Sequence, residues 1–83
     1  MLFSAQILTA DKKIFEGDVY SLVVPAALGY LGILANHAPL IASLKPGKIT
    51  FKDSSGSQKE ITSQGKGFIE VEKNKAIIFL DAA

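Results

Sequence analysis

Cysteine and tryptophan are absent from this 83-residue sequence, and His37 is its single histidine. Without cysteine the fold has neither disulfides nor a cysteine-ligated metal, so it must be stabilised by packing or by a partner. His37 together with carboxylates alone would be an unusual ligand set for zinc. We therefore expect no metal site.

Arginine is also missing, and the positive charge comes from nine lysines spread among eight acidic residues, which gives a net charge of +1. Proteins that bind nucleic acids normally carry a clustered basic surface, with arginines at phosphates and guanines. We therefore predict no nucleic-acid partner. Scattered lysines are typical of a solvated surface that keeps edge strands from pairing with other chains.

No apolar run approaches the ~20 residues of a membrane helix, and the segment from Met1 to Ser4 lacks the features of a signal peptide. A chain of this length buries only about 60% of its unfolded surface and cannot divide its core in two. We expect one soluble domain, residues 1–83, that does not insert directly into a bilayer.

Apolar residues recur with a period of two along most of the chain, and glycine or polar clusters interrupt them at short intervals. Ile49 and Phe51 should point inward on one strand. The run from Ala76 to Leu80 is apolar on both faces, which predicts a central strand covered on both sides. The pattern predicts an all-β fold, a two-sheet antiparallel β-sandwich of about ten short strands.

None of the residue patterns indicates catalysis. His37 has no neighbouring nucleophile or orienting acid in the sequence. The Gly65-Lys66-Gly67 segment lacks the spacing of a phosphate-binding loop, and we interpret it as a bend with a close backbone approach. Glu70 and Glu72 share one face of a strand, which we interpret as solvent-facing. We predict a protein that is not an enzyme and holds no cofactor.

Large apolar residues crowd the loop-rich segment between residues 28 and 41. A core of this size would struggle to enclose all of them, so we expect some to form a contiguous exposed patch, which is a mark of binding sites. The residues are Leu28, Tyr30, Leu31, Ile33, Leu34, Leu40 and Ile41. His37 lies in the same segment, either as a turn residue that braces its own loop or as a polar contact in an interface, and both roles are compatible.

Six motifs occur in the order found in one known family. They are Phe15-x-Gly17, Val23-Val24-Pro25, Gly29-x-Leu31-Gly32-Ile33, His37-Ala38-Pro39-Leu40, Leu44-Lys45-Pro46-Gly47, and Gly67-Phe68-Ile69-Glu70-Val71 with Asn74-Lys75. From end to end, the chain resembles the N-terminal domain of ATP synthase epsilon subunits, which are called delta in mitochondria. The resemblance implies a ten-stranded β-sandwich without catalytic residues.

In that family the domain binds the side of the gamma subunit and rests on the polar loops of the c-ring. The resemblance therefore implies a rotor subunit that couples ion-driven rotation to ATP synthesis, on the cytoplasmic face of the energy-transducing membrane. The c-ring contact it implies consists of Leu28, Gly29, Tyr30 and Leu31. The gamma contact it implies includes Thr9, His37, Ala38, Pro39 and Leu40.

The sequence departs from the family pattern in four respects, one of which is Gly65-Lys66-Gly67 in place of a common Ser-Gly-Gly. Tyr30 stands where many relatives have glutamate, so this contact would use aromatic packing and a phenolic hydrogen bond. Ala35-Asn36 replaces a common Pro-Gly, and asparagine can still adopt the left-handed conformation. The chain stops at Ala83, before the two-helix arm that can inhibit hydrolysis, and both a natural short form and a shortened piece are compatible with this.

Two other functions fit a small β-sandwich. Asp11-Lys12 superficially resembles the modified pair of lipoyl carrier domains, although Lys12 lies near the N-terminus and Lys13 beside it makes the target ambiguous. A lipoyl or biotinyl carrier modified on Lys12 is therefore one alternative. A general β-sandwich adaptor is the other, and it would not capture gamma selectively.

Overall fold

The computed structural model describes residues 1–81, and every regular element in this part of the chain is a β-strand. The all-β prediction is confirmed, with eight strands where about ten were expected. The strands are β1 (Phe3–Leu8), β2 (Lys13–Ala26), β3 (Gly29–Leu34), β4 (Leu40–Leu44), β5 (Gly47–Asp53), β6 (Gln58–Ser63), β7 (Gly67–Glu72) and β8 (Lys75–Leu80). Ala82 and Ala83, where we expected the chain to stop short of a helical arm, lie outside the described residues.

β2 is the longest strand, and it pairs with four others. Its first half pairs with β1, and its second half pairs with β5 on one edge and β3 on the other. At Ala26 it also meets Leu44 of β4. β-Branched and aromatic residues are frequent in this strand. Their preference for strands agrees with the pairing of β2 to many neighbouring strands.

A bulge at Tyr20 changes which side chains of β2 point inward. The register with β5 shifts between Val19 and Ser21, which leaves Tyr20 opposite no residue of β5. Because side chains alternate along a strand, one extra residue reverses the alternation. Val19 therefore points into the core before the bulge, and Leu22 points into it afterwards.

The strands close on themselves around one core. β1 pairs with β8, and β7 and β4 follow as antiparallel neighbours. β4 then meets the end of β2, whose beginning pairs with β1. One pair departs from the expected antiparallel arrangement, since β1 and β8 run parallel. Parallel neighbours need a long connection, and here the rest of the domain provides it.

The buried apolar side chains come from all the strands except β6, whose partly buried Ile61 packs against them. Ile49 and Phe51 lie in this core as predicted. The buried apolar residues are Phe3, Ala5, Ile7, Val19, Leu22, Val24, Ala26, Ile33, Leu44, Ile49, Phe51, Ile69, Val71, Ala76, Ile78 and Leu80. β8 is central in its sheet, but the prediction that both its faces are covered is wrong. Ile78 is buried, whereas Phe79 is 39% exposed because no element of residues 1–81 packs over it.

None of the described residues belongs to a helix long and apolar enough to cross a membrane.

Gly67 provides the close backbone approach expected at the bend before β7. A Cβ atom added there would overlap the carbonyl oxygen of Phe79 on β8. We therefore expect Gly67→Ala to destabilise the fold by about 1–3 kcal/mol through overpacking. Gly32, whose added Cβ would meet open space, is the control, and Gly32→Ala should be neutral or stabilise by up to about 1 kcal/mol. Urea unfolding of both variants tests this, and equal losses would contradict it.

Asp53 organises the loop between β5 and β6. Its Oδ1 accepts hydrogen bonds from the Ser55 hydroxyl at 2.6 Å and from the backbone N–H groups of Ser55 and Ser57 at 3.0 Å. The Ser55 hydroxyl and then the Ser57 N–H lower the pKa of this carboxyl from its ordinary value of 3.8. Since these bonds favour the charged carboxylate, folding favours it as well.

The lowered pKa predicts a pH dependence of stability. The stabilisation should be complete above pH 3.8 and should disappear as the pH falls below this value through the folded-state pKa. We expect Asp53→Ala to lower the melting temperature at neutral pH and to approach the wild type in strong acid. Ser54→Ala, in the same exposed loop, is the control. A difference between Asp53→Ala and the wild type that does not change with pH would contradict the assignment.

Candidate functional site

The turn between β2 and β3 projects apolar side chains into solvent. Ala26 pairs with Gly29, so Ala27 and Leu28 form a two-residue turn. Gly29 adopts a φ of 137°, which side chains rarely permit and which glycine allows without strain. Leu28 is fully exposed and Tyr30 is 65% exposed. The four residues implied as a c-ring contact therefore lie together at this tip, with Leu31 partly buried.

A shallow apolar depression of about 500 Å³ lies between this turn and β4. The N–H of Ala27 donates to the carbonyl of Ser43 at 2.9 Å, which fastens the turn against β4. Ile41, which is 73% exposed, lies on the β4 side. The lining residues are Ala26, Ala27, Leu28, Gly29, Tyr30, Leu31, Ile41, Ala42 and Ser43. The prediction that part of segment 28–41 is exposed as one patch is confirmed, although Ile33 is buried.

His37 lies in the loop between β3 and β4, which we define as residues 35–39. Its Nδ1 is 2.7 Å from the carbonyl of Ala38, and in the tautomer that carries a proton on Nδ1 it donates to that oxygen. The backbone N–H of His37 donates to the carbonyl of Leu34 at 3.2 Å. The ring therefore braces its own loop, which is one of the two roles expected for it. Asn36 takes the left-handed conformation, as predicted, with a φ of 61°.

Asn74 connects the 35–39 loop to two other parts of the chain. Its side-chain oxygen accepts a hydrogen bond from the N–H of Asn36 at 2.7 Å, and its side-chain nitrogen donates to the carbonyl of Leu2 at 3.2 Å. Its own carbonyl accepts a hydrogen bond from the N–H of Ser4 at 3.2 Å. Sequence reasoning recognised a turn here and missed the bridge, because its partners lie 38 and 72 residues away.

Thr9 does not lie beside His37. Thr9 follows the last residue of β1, and its N–H donates to the carbonyl of Lys12 at 2.9 Å. The 35–39 loop is fastened by Asn74 near the first residues of β1. Thr9 lies five positions after Ser4, and in a strand this spacing corresponds to about 17 Å. The residues implied as a gamma contact therefore form two groups.

An exposed sheet face lies between these two groups. We define the outer face as a part of the outward side of β1, β8, β7 and β4, and its residues are Gln6, Leu8, Ile41, Ser43, Phe68, Glu70, Ile77 and Phe79. Ser4, Glu72 and Lys75 continue this side towards the turn between β7 and β8. Phe68 and Phe79 are 45% and 39% exposed. Their rings stack with centroids 5.1 Å apart and an angle of 26° between the planes. Sequence reasoning missed this face, although the apolar residues on both sides of β8 indicated it.

Glu16, which lies opposite Gln6 on β2 at the edge of the outer face, is a paired carboxylate. Glu16 accepts hydrogen bonds from Lys13 at 2.6 Å and from Gln6 at 2.7 Å. The hydrogen bond from Lys13, followed by that from Gln6, lowers the pKa of Glu16 below 4.5. Glu16 is therefore ionised at neutral pH, and Lys13 balances its negative charge. Phe68, Phe79 and Ile77 form an apolar group on this face that is suited to apolar contact, and the Glu70 carboxylate lies beside it, between Ile77 and Ile41.

Residues 1–81 contain no group of three or more histidine, cysteine, aspartate or glutamate side chains arranged to hold a metal ion. Lys12 is exposed in the connection between β1 and β2. The chemistry offered by the tip, the 35–39 loop and the outer face is association through apolar surface and a few polar contacts.

Sequence comparison matches residues 2–83 to the family described as ATP synthase, Delta/Epsilon chain, beta-sandwich domain. The chain is 44% identical to the ATP synthase epsilon chain of Dichelobacter nodosus over 98% of its length and 56% of that relative. It is 49% identical to the ATP synthase epsilon chain of Protochlamydia amoebophila over 99% of its length and 55% of that relative. The chain thus spans about half the length of these relatives.

Two solved structures share the fold. One is a chain of the Euglena gracilis mitochondrial ATP synthase, OSCP/F1/c-ring, with a TM-score of 0.88, 20% identity, and coverage of 96% of this chain and 51% of that one. The other is a chain of the Tetrahymena thermophila mitochondrial ATP synthase central stalk/c-ring, with a TM-score of 0.77, 15% identity, and coverage of 93% and 61%.

Proposed function

The chain belongs to the ATP synthase delta/epsilon family, and on that premise we propose that it is a non-catalytic rotor subunit of ATP synthase. In this role it binds gamma and the polar loops of the c-ring, so that ion-driven rotation is coupled to ATP synthesis. It resides as a peripheral membrane protein on the cytoplasmic face of the energy-transducing membrane. The observation that carries the proposal is the 44–49% identity to epsilon chains over nearly the whole sequence.

The exposed surfaces support a role in assembly. Among residues 1–81, large apolar side chains face solvent at the β2–β3 tip with its depression and on the outer face, and the 35–39 loop adds the exposed Ala38 and Pro39. Since monomeric proteins rarely leave large contiguous apolar patches exposed, such surfaces are typical of protein interfaces. A carrier modified on Lys12 would not need them, and none of the relatives compared above is named as a carrier. A general adaptor likewise has no observation in its favour.

We assign the c-ring contact to Leu28, Gly29, Tyr30 and Leu31. A protruding turn can enter the space between polar loops, and Gly29 lets the backbone turn sharply there. Tyr30 combines an apolar ring with a hydroxyl that can bond to a loop carbonyl, which suits a surface that is partly wet.

We assign the gamma contact to Thr9, the residues from His37 to Leu40, and the outer face between them. Thr9 and His37 border the face at opposite ends, so a partner that touches both also covers Phe68 and Phe79. Aromatic residues near the centre of an interface commonly contribute most of its binding energy. The polar residues at the two ends then fix the orientation of the partner.

The outer-face assignment predicts the effect of Phe68→Ser on gamma binding. We expect the affinity for purified gamma to fall about ten- to hundredfold, or by ~1.4–2.8 kcal/mol. Tyr20→Ser is the matched control, because Tyr20 is 40% exposed and lies on β2, which is not one of the strands of the outer face. His37→Ala and Leu40→Asp should also weaken capture. Unchanged affinity in all three site variants would refute the gamma assignment.

The c-ring assignment predicts a coupling defect for Leu28→Asp in the assembled ATP synthase. A carboxylate at the fully exposed tip would resist the desolvation that an apolar contact requires. We expect ATP-driven ion pumping to decrease while ATP hydrolysis continues. Ser54→Asp adds the same charge at another exposed turn and should leave pumping unchanged. Normal pumping by the Leu28→Asp enzyme would remove the tip from the contact.

A further inference from the structure

Asn74 occupies a turn position that requires an unusual backbone. Lys73 and Asn74 form the two-residue turn between β7 and β8, with φ values of 52° and 60°. Two consecutive left-handed residues define a type I′ turn, for which asparagine and glycine are the preferred residues. Glycine at position 74 would therefore satisfy the turn. The turn alone does not explain the contacts made by the asparagine side chain.

Both the oxygen and the nitrogen of the Asn74 side-chain amide form hydrogen bonds. Its oxygen accepts from the N–H of Asn36, and its nitrogen donates to the carbonyl of Leu2. An aspartate could accept the first bond but would place a negative charge against the Leu2 carbonyl. Glycine could make neither bond. The pair of contacts thus needs an amide at this position.

This bridge attaches the backbone of the 35–39 loop to a distant part of the chain. The loop also makes local hydrogen bonds, from the His37 N–H to Leu34 and between the His37 ring and Ala38. A longer contact runs from the Asn36 side-chain nitrogen to the sulfur of Met1 at 3.8 Å, but a thioether is a weak acceptor. The bond to Asn74 joins residues 38 positions apart, at 2.7 Å. A loop held in its bound geometry loses less conformational freedom when a partner binds.

We infer that Asn74 is a positioning residue, whose amide holds the 35–39 loop in the geometry that binds gamma. This inference rests on the proposed gamma contact. Asn74 contributes to affinity through the loop, with no contact of its own to the partner. Free protein that lacks the bridge samples additional loop conformations, and the cost of ordering them lowers the affinity.

Asn74→Gly tests the inference because it preserves the turn and removes only the side chain. Lys73→Gly is the matched control, since it makes the same change at the neighbouring left-handed position and leaves the bridge intact. We expect Asn74→Gly to weaken gamma binding about tenfold relative to Lys73→Gly, at similar melting temperatures. In the free protein, the amide proton of Asn36 should exchange with solvent about tenfold faster in Asn74→Gly alone.

A double-mutant cycle separates positioning from direct contact. If Asn74 acts through the loop, Asn74→Gly should have a much smaller effect on gamma binding when His37 is already replaced by alanine. Equal binding by Asn74→Gly and Lys73→Gly would overturn the inference, and so would weakened binding with unchanged Asn36 exchange. If His37→Ala, Leu40→Asp and Phe68→Ser weaken capture while Asn74→Gly does not, the inference fails and the proposed function stands.

Discussion

The continuous pairing of β2 is the constraint on which the rest of this structure depends. Without disulfides, the domain is held by one core and by strands that close around it. β2 makes the closure possible because it meets β1 at one end and β4 at the other. The bulge at Tyr20 lets both halves of this strand direct apolar side chains into the same interior, as Val19 and Leu22 do.

A closed core of this size cannot hold all the apolar residues of a chain that is 48% hydrophobic. Several large side chains therefore remain outside, and more than half of them fall into two groups. Leu28 and Ile41 flank the depression beside the turn, while Phe68 and Phe79 stack on the outer face. When exposed apolar side chains lie together, a single partner can bury all of them at once. The free energy gained from their desolvation then favours stable association with that partner.

Local sequence patterns predicted those features that depend on neighbouring residues. Strand periodicity identified the all-β fold and the inward position of Ile49, and the preference of asparagine for positive φ identified the turn at Asn36. Features that depend on distant partners were not predictable in this way. The parallel pairing of β1 with β8 and the bridge from Asn74 to Asn36 join segments far apart in the sequence. The outer face was missed because alternation alone does not tell whether a second layer covers a strand.

β4 has a mechanical significance that follows from its position. It carries Ile41 and Ser43 on the outer face. The carbonyl of Ser43 also accepts a hydrogen bond from the N–H of Ala27 in the protruding turn. In the proposed rotor, a sideways load applied at the turn would pass into β4 through backbone hydrogen bonds, without crossing a flexible hinge. The turn and the outer face would then move as one rigid body. Little rotation of gamma relative to the c-ring would be lost to deformation of this domain.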